Sequence, residues 1–224
     1  MREIVLDTET TGLSPQNGDR LVEIGCLELQ NHVATGKHYH CYINPERDMP
    51  AEAEAVHGLS ADFLSDKPVF TDIVQDFLEF VQDAPLVIHN ASFDMGFINA
   101  ELKKAGWPPL PDSQAIDTVS MARAKYPGAP ASLDALCRRF GIDNSHRTLH
   151  GALLDAELLA EVYLELQGGR QPGLILQDEK SGAADHAVKA ERVARYPRPH
   201  APTAEEEAAH AAFLERIDDP LWKS

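Results

Sequence analysis

The sequence predicts an α/β fold, a mixed β-sheet flanked by helices, followed by a C-terminal linker and a terminal helix. Two observations carry this. Three strand-like segments come first and are then followed by alternating helices and strand, the order of a sheet covered by helices. Beyond Gly169 the clear periodicity is replaced by glycine, proline and charge, the composition of a linker.

The elements follow in order. Residues 2–7 read as a strand, with the apolar run Ile4-Val5-Leu6 leading into Asp7 and Glu9. "RLVEIGCLEL" (20–29) alternates apolar and polar residues, as a half-buried strand does. "KHYHCYINP" (37–45) is rich in aromatic and β-branched residues and stops at Pro45, which completes an antiparallel meander. "PAEAEAVHGLS" (50–60) reads as a short helix stopped by Gly58. "VFTDIVQDFLEFVQD" (69–83) repeats apolar residues at helical spacing, with Thr71 as its N-cap. "PLVIHN" (85–90) is a short buried strand. "SFDMGFINAELKKAG" (92–106) is a helix capped by Ser92 and ended by Gly106. Ser132 caps another over 132–142. The longest helix, 151–169, is closed by Gly168-Gly169, and 204–222 regains helical character before a proline break.

The chain has 224 residues, 43% of them hydrophobic, enough for one well-buried domain plus an appendage, or for two small domains. No apolar run is long enough to span a bilayer. Glu3, Asp7 and Glu9 interrupt any signal-peptide core, so a cytoplasmic location is expected. Cys26, Cys41 and Cys137 are odd in number and lack C-x-x-C spacing, which excludes a disulfide frame or zinc site. The formal net charge is -16, with 26 acids against 12 Lys and Arg in residues 1–167. That is not the basic footprint of an ordinary nucleic-acid binder. Either the acids hold cations or a partner supplies affinity for a polyanion.

On a strand, residues i and i+2 share a face, so Asp7 and Glu9 project together. They repel unless one is protonated or a cation lies between them. Alone, such a pair also suits a solvated strand end. Asp94 falls in the first turn of its helix, where the helix dipole favours an acid in any case. Asp155 sits among Leu153, Leu154, Leu158 and Leu159, where an acid is costly unless it is paired with a nearby Arg or Lys or bound to a metal. His150 precedes Asp155 by five residues, which turn a helix by about 140°. The two share a side only if His150 lies at the helix start or in the loop before it. A mobile imidazole there suits general-base work. Four carboxylates from separate elements suit two hard cations, Mg²⁺ or Mn²⁺. Two metals about 3.5–4 Å apart suit phosphodiester cleavage.

The stretches "IVLDTETTGL", "VHG", "LVIHNASFDMGF" and "SLDALCRRFGIDNSHRTLHGALLDAELLAEVY" arrive in the order of a known family. Over about residues 2–167 the chain resembles the DnaQ-like exonucleases of the DEDDh class, and within it the epsilon proofreading subunits of bacterial DNA polymerase III. The resemblance implies a ribonuclease-H-like exonuclease fold and 3′→5′ hydrolysis of a DNA strand to nucleoside 5′-monophosphates. It assigns Asp7, Glu9, Asp94 and Asp155 as ligands of two Mg²⁺ or Mn²⁺, and His150 as general base. Around the terminal nucleotide it places Glu52 and His57 with Asp7, Glu9 and Asp155. His89 and Asn90 read as supporting structure.

The resemblance also organises the rest of the chain. It divides it into an exonuclease domain (1–168), a linker (169–203) and a polymerase-docking segment (204–224). "QPGLIL" resembles the peptide by which replication proteins bind the sliding clamp, with Gln171, Leu174 and Leu176 as anchors. Phe213, Leu214, Ile217, Leu221 and Trp222 would engage the polymerase III alpha subunit; a small accessory subunit is a further expected partner. An acidic nuclease delivered to its DNA 3′ end by a polymerase and a clamp need not supply the phosphate contacts itself. The alternatives are a stand-alone DEDDh nuclease trimming RNA or single-stranded DNA, and a scaffold whose acids are only structural. The tail argues against the first and the intact set of five residues against the second.

Overall fold

The structure, a computed structural model, describes residues 1–145, 147, 149–169 and 201–216. A five-stranded sheet has the order β3-β2-β1-β4-β5. Its strands are β1 (Arg2–Thr10), β2 (Leu21–Gln30), β3 (Val33–Tyr42), β4 (Leu86–Ile88) and β5 (Ala115–Asp117). The first three form an antiparallel meander, and β4 and β5 run parallel to β1. This is the mixed sheet that the element order predicts.

Helices α1 (Ala51–His57), α2 (Ala61–Leu64) and α3 (Phe70–Val81) lie between β3 and β4 and α4 (Ala91–Lys104) between β4 and β5, while α5 (Thr118–Lys125), α6 (Leu133–Phe140) and α7 (Ala152–Leu166) follow β5. Alternation along the strands divides the core in two. Ile4, Leu6, Leu86 and Ile88 pack with Phe70 and Phe77 of α3 and Phe97 and Ile98 of α4. Val5 and Val87 point the other way, to Leu136 of α6 and Leu159 and Tyr163 of α7. Parallel strands between two helical layers are apolar on both faces, which is why β4 reads as an unbroken Leu-Val-Ile run.

Several boundaries differ from the sequence expectation. β1 continues to Thr10, so Asp7 and Glu9 lie inside the strand instead of at its end. β3 begins at Val33, four residues before the aromatic run. The helix expected over 50–60 spans Ala51–His57 and ends at Gly58 in the left-handed conformation; a further short helix, Ala61–Leu64, follows it. Helix α3 starts at Phe70, and Thr71 makes no cap. Asn90, not Ser92, precedes the first residue of α4; it holds a left-handed backbone with φ 69. Ser132 does cap α6, accepting from the Ala135 amide. β5 and α5 were not anticipated.

The part-buried ion pair Arg20–Glu101 fixes α4 against the start of β2. Arg20 Nε and Nη2 donate to the two oxygens of Glu101 at 2.5 and 2.9 Å. The three cysteines are free thiols, two of them buried. Among the described residues no helix is long and apolar enough to cross a membrane.

The chain parts into two compact units, Met1–Leu176 and Gln177–Ser224. In the second, α8 (Ala204–Leu214) starts with a capping box. The Thr203 hydroxyl accepts from the Glu206 amide, and the Glu206 carboxylate accepts from the Thr203 amide. Gln171, Leu174, Leu176, Ile217, Leu221 and Trp222 lie outside the described residues.

Candidate active site

Three elements converge on one cavity. On β1, Asp7 is opposite Gly25 and Glu9 opposite Glu23 of β2. Beside β1, the parallel strand β4 runs through His89 and Asn90 into α4, whose first turn carries Asp94. Asp155 sits in the first turn of α7. That helix starts directly over β2 because Gly25 has no side chain: a Cβ there would stand 2.3 Å from the Ala152 carbonyl carbon. His150 lies in the loop just before α7, where its amide donates to the Val56 carbonyl at 3.1 Å. Asp7, Glu9, Asp94, Asp155 and His150 all line a cavity of about 770 Å³. Thr8, His89, Asn90, Phe93, Arg123, Ser132 and Arg147 contribute further walls.

The carboxylates are crowded. Glu9 is 8% exposed, Asp94 and Asp155 3% each. Burial, and then repulsion from Asp94, Asp155 and Glu9, raises the Asp7 carboxyl well above its ordinary range. Burial and the Asp155, Glu23 and Asp94 charges push Glu9 up to about 8. Burial pushes Asp94 up to about 7, although the Thr8 hydroxyl donates to its Oδ1 at 2.7 Å. Asp155 is answered by Arg147, whose Nε and Nη2 donate to Oδ1 and Oδ2 at 2.5 and 2.7 Å. The same guanidinium donates to Asp134 Oδ1 at 3.0 Å and to His150 Nδ1 at 2.7 Å.

This donor set fits hard divalent cations. One ligand atom each from Glu9, His150 and Asp155 lies within 4.8 Å of the others. Carboxylate oxygens are the preferred ligands of Mg²⁺ and Mn²⁺. The raised carboxyls record acids taken out of water, those of Asp7 and Glu9 also pressed by neighbouring acids.

Glu52 and His57 do not line the cavity. Glu52 is exposed in the first turn of α1. His57 is buried, and its Nδ1 accepts from the Leu59 amide at 3.0 Å. His89 is held by Thr118, ring to hydroxyl at 2.9 Å, and the Asn90 amide donates to Asp117, in keeping with a supporting role.

The sequence does not single out Arg147. It offers the Thr8 hydroxyl to a turn with Thr10, Thr11 and Gly12, whereas Thr8 lies inside β1 and its hydroxyl donates to Asp94. Arg147 lies in a turn without periodicity, and its anchors, Asp134 and Asp155, are 13 and 8 residues away. Its one signal was a basic residue three positions before His150 in an acidic chain.

Residues 4–163 match the family model for exonucleases of the RNase_T type. The chain is 53% identical over 222 residues to the DNA polymerase III subunit epsilon of Rickettsia typhi, covering 97% of each protein. It is 42% identical over 237 residues to that of Salmonella typhimurium, covering 100% of this chain and 98% of the relative. Among solved structures, exonuclease X in complex with 5′ overhanging duplex DNA superposes with a TM-score of 0.58 at 25% identity, covering 73% of this chain and 90% of that one. The nuclease domain of 3′hExo, a DEDDh family member bound to rAMP, shares the fold with a TM-score of 0.63 at 16% identity, covering 74% and 90%.

Proposed function

Since the chain belongs to the RNase_T exonuclease family, among the epsilon subunits of bacterial DNA polymerase III, we propose a division of labour among its residues for proofreading. The protein is a 3′→5′ exonuclease and a subunit of the polymerase. It depends on divalent metal, which we assign as two Mg²⁺ or Mn²⁺.

Asp7, Glu9, Asp94 and Asp155 would hold the cations. When bound, these supply the charge that activates a water and stabilises the reacting phosphate and its leaving oxygen. Thr8 fixes the Asp94 carboxylate through its hydroxyl. His150 takes a proton from the attacking water at a ring nitrogen with a free lone pair. The cavity, about 770 Å³, is in the range that holds a nucleotide-sized ligand. Phe93 offers a ring at its wall for a base to stack on. Glu52 and His57 are assigned to the sugar end of the terminal nucleotide, on the α1 side.

The acidic charge of residues 1–167 suits a nuclease that receives a frayed 3′ end from a partner. We assign residues 1–168 to catalysis, 169–203 to a tether and 204–224 to docking on the polymerase alpha subunit. Gln171, Leu174 and Leu176 are assigned to the sliding clamp. A small accessory subunit and a cytoplasmic location complete the proposal.

The observation that carries this reading is the meeting of five groups from positions 7, 9, 94, 150 and 155 on one cavity. Its test is incubation of the full chain with Mn²⁺ and a single strand labelled at its 3′ nucleotide. Label should appear as the nucleoside 5′-monophosphate, and Asp94→Ala should abolish its release. Undiminished release by that variant would reject the assignment.

A further inference from the structure

Arg147 is nearly enclosed, with its side chain 9% exposed, and its guanidinium spans three groups at once. Two of its nitrogens take both oxygens of Asp155, a third contact goes to Asp134, and Nη2 donates to His150 Nδ1. Arginine can only donate, so Nδ1 must be the accepting nitrogen of the imidazole. In a neutral ring the proton then sits on Nε2. Both ring nitrogens are thereby committed: Nδ1 has given up its lone pair to Arg147 and Nε2 has none to offer. In this arrangement His150 cannot accept a proton from water, and Asp155 cannot offer either oxygen to a cation without sharing it with Arg147.

We propose that Arg147 is the resting counter-cation of the site, and that cation loading transfers it from Asp155 to Asp134 and so frees the His150 lone pair. The inference rests on the roles assigned above to Asp155 and His150, and adds the coupling between them. The transfer has a ready pivot. Asp134 already accepts from Nη1 at 3.0 Å, and its side chain is 49% exposed on the cavity wall. Asn144 Nδ2 also donates to that carboxylate at 2.9 Å, which steadies it. A bidentate guanidinium fork matches a carboxylate as well as any protein cation can, yet carries one charge where a divalent ion carries two. Arg147 therefore neutralises part of the acid cluster in the metal-free protein while remaining displaceable. It acts as a positioning residue, since its effect on the reaction passes through His150 and Asp155.

The test uses the full chain without nucleic acid. Mn²⁺ binding is measured by titration calorimetry on the wild type, Arg147→Gln and Asp134→Asn. Removal of the competing cation should tighten binding in Arg147→Gln on the order of tenfold, the signature of a displaced buried pair. Asp134→Asn, which removes the carboxylate that receives the displaced guanidinium, should weaken it. In parallel, ¹⁵N resonances of His150 are followed as Mg²⁺ is added. The metal-free wild type should show a ring protonated at Nε2, Mg²⁺ should shift it, and metal-free Arg147→Gln should already resemble the loaded state. Unchanged or weaker Mn²⁺ binding in Arg147→Gln, or tighter binding in Asp134→Asn, with His150 resonances indifferent to Mg²⁺, would overturn the coupling while leaving the exonuclease assignment intact. Failure of the wild type and both variants to bind Mn²⁺ would remove the assignment itself, and the coupling with it.

Discussion

Gly25 lies opposite Asp7 in the β1–β2 ladder, and the backbone of Ala152 and Leu153 occupies the space where its Cβ would be. One missing methyl group thus brings the acid of the first strand and the helix bearing Asp155 to the same point. Gly25→Ala should push the first turn of α7 outward, because the added carbon meets backbone at 2.3 and 2.4 Å instead of a yielding side chain. The expected cost is about 1–3 kcal/mol in urea unfolding. Hydrolysis should fall by more than the folded fraction explains, since Asp155 moves with the helix. A variant of wild-type stability and activity would contradict the close approach.

The Arg20–Glu101 pair offers a test of stability away from the cavity. Both side chains are largely buried, 13% and 5% exposed. Glu101→Ala removes the bidentate partner of a part-buried guanidinium that keeps only Glu46 and the Pro45 carbonyl, and should destabilise by about 1.5–3 kcal/mol, whereas the double replacement Arg20→Met with Glu101→Leu should sit close to wild type. Equilibrium unfolding of the wild type, Arg20→Met, Glu101→Leu and the double variant checks the non-additivity.

The raised carboxyls of Asp7, Glu9 and Asp94 make a pH prediction. Their folded values lie above those of an unfolded chain, so the metal-free native state binds more protons than the unfolded one between about pH 4 and 8. Stability from these groups is present in acid and declines as pH rises through 7 to 8, by roughly 1.4 kcal/mol per pH unit for each carboxyl titrating there. With chelator present, the urea midpoint should fall from pH 6 to pH 8.5, and saturating Mg²⁺ should flatten that slope. A metal-free midpoint that climbed over this range would mean that the acids are not crowded.

His150→Ala should cut kcat by about 10²–10⁴, the usual contribution of a general base. Mn²⁺ affinity should change little. Since His150 offers a nitrogen within 4.8 Å of the ligand oxygens of Glu9 and Asp155, a collapse of Mn²⁺ binding in this variant would reassign it as a ligand.

Much of this arrangement was written in local pattern. The antiparallel meander followed from alternation in 20–29 and aromatic density in 37–45, and α3 from helical spacing, because a half-buried face imposes its period on the sequence. β5 escaped because three residues, Ala-Ile-Asp, carry no period, and the proline-rich segment before them reads as loop. Thr71 and Ser92 misled as caps for a shared reason. Each hydroxyl lies within the first turn, where the chain has already entered the helix from Val69 and from the left-handed Asn90. The acids were legible because a carboxylate beside apolar residues is costly and asks for a partner. That one partner would be Arg147 was not, since a guanidinium in a turn is joined to Asp134 and Asp155 only by the tertiary fold.

Strand β1 gives its even-numbered apolar residues to one half of the core, Val5 to the other, and Asp7 and Glu9 to the cavity. Packing and chemistry therefore share a single reading frame along the strand. A one-residue insertion within it would turn every downstream side chain to the opposite face, mispacking both layers as it scattered the acids. Alleles that abolish hydrolysis yet leave a folded subunit must accordingly arise here by exchange of a side chain, while length changes should surface as loss of the protein.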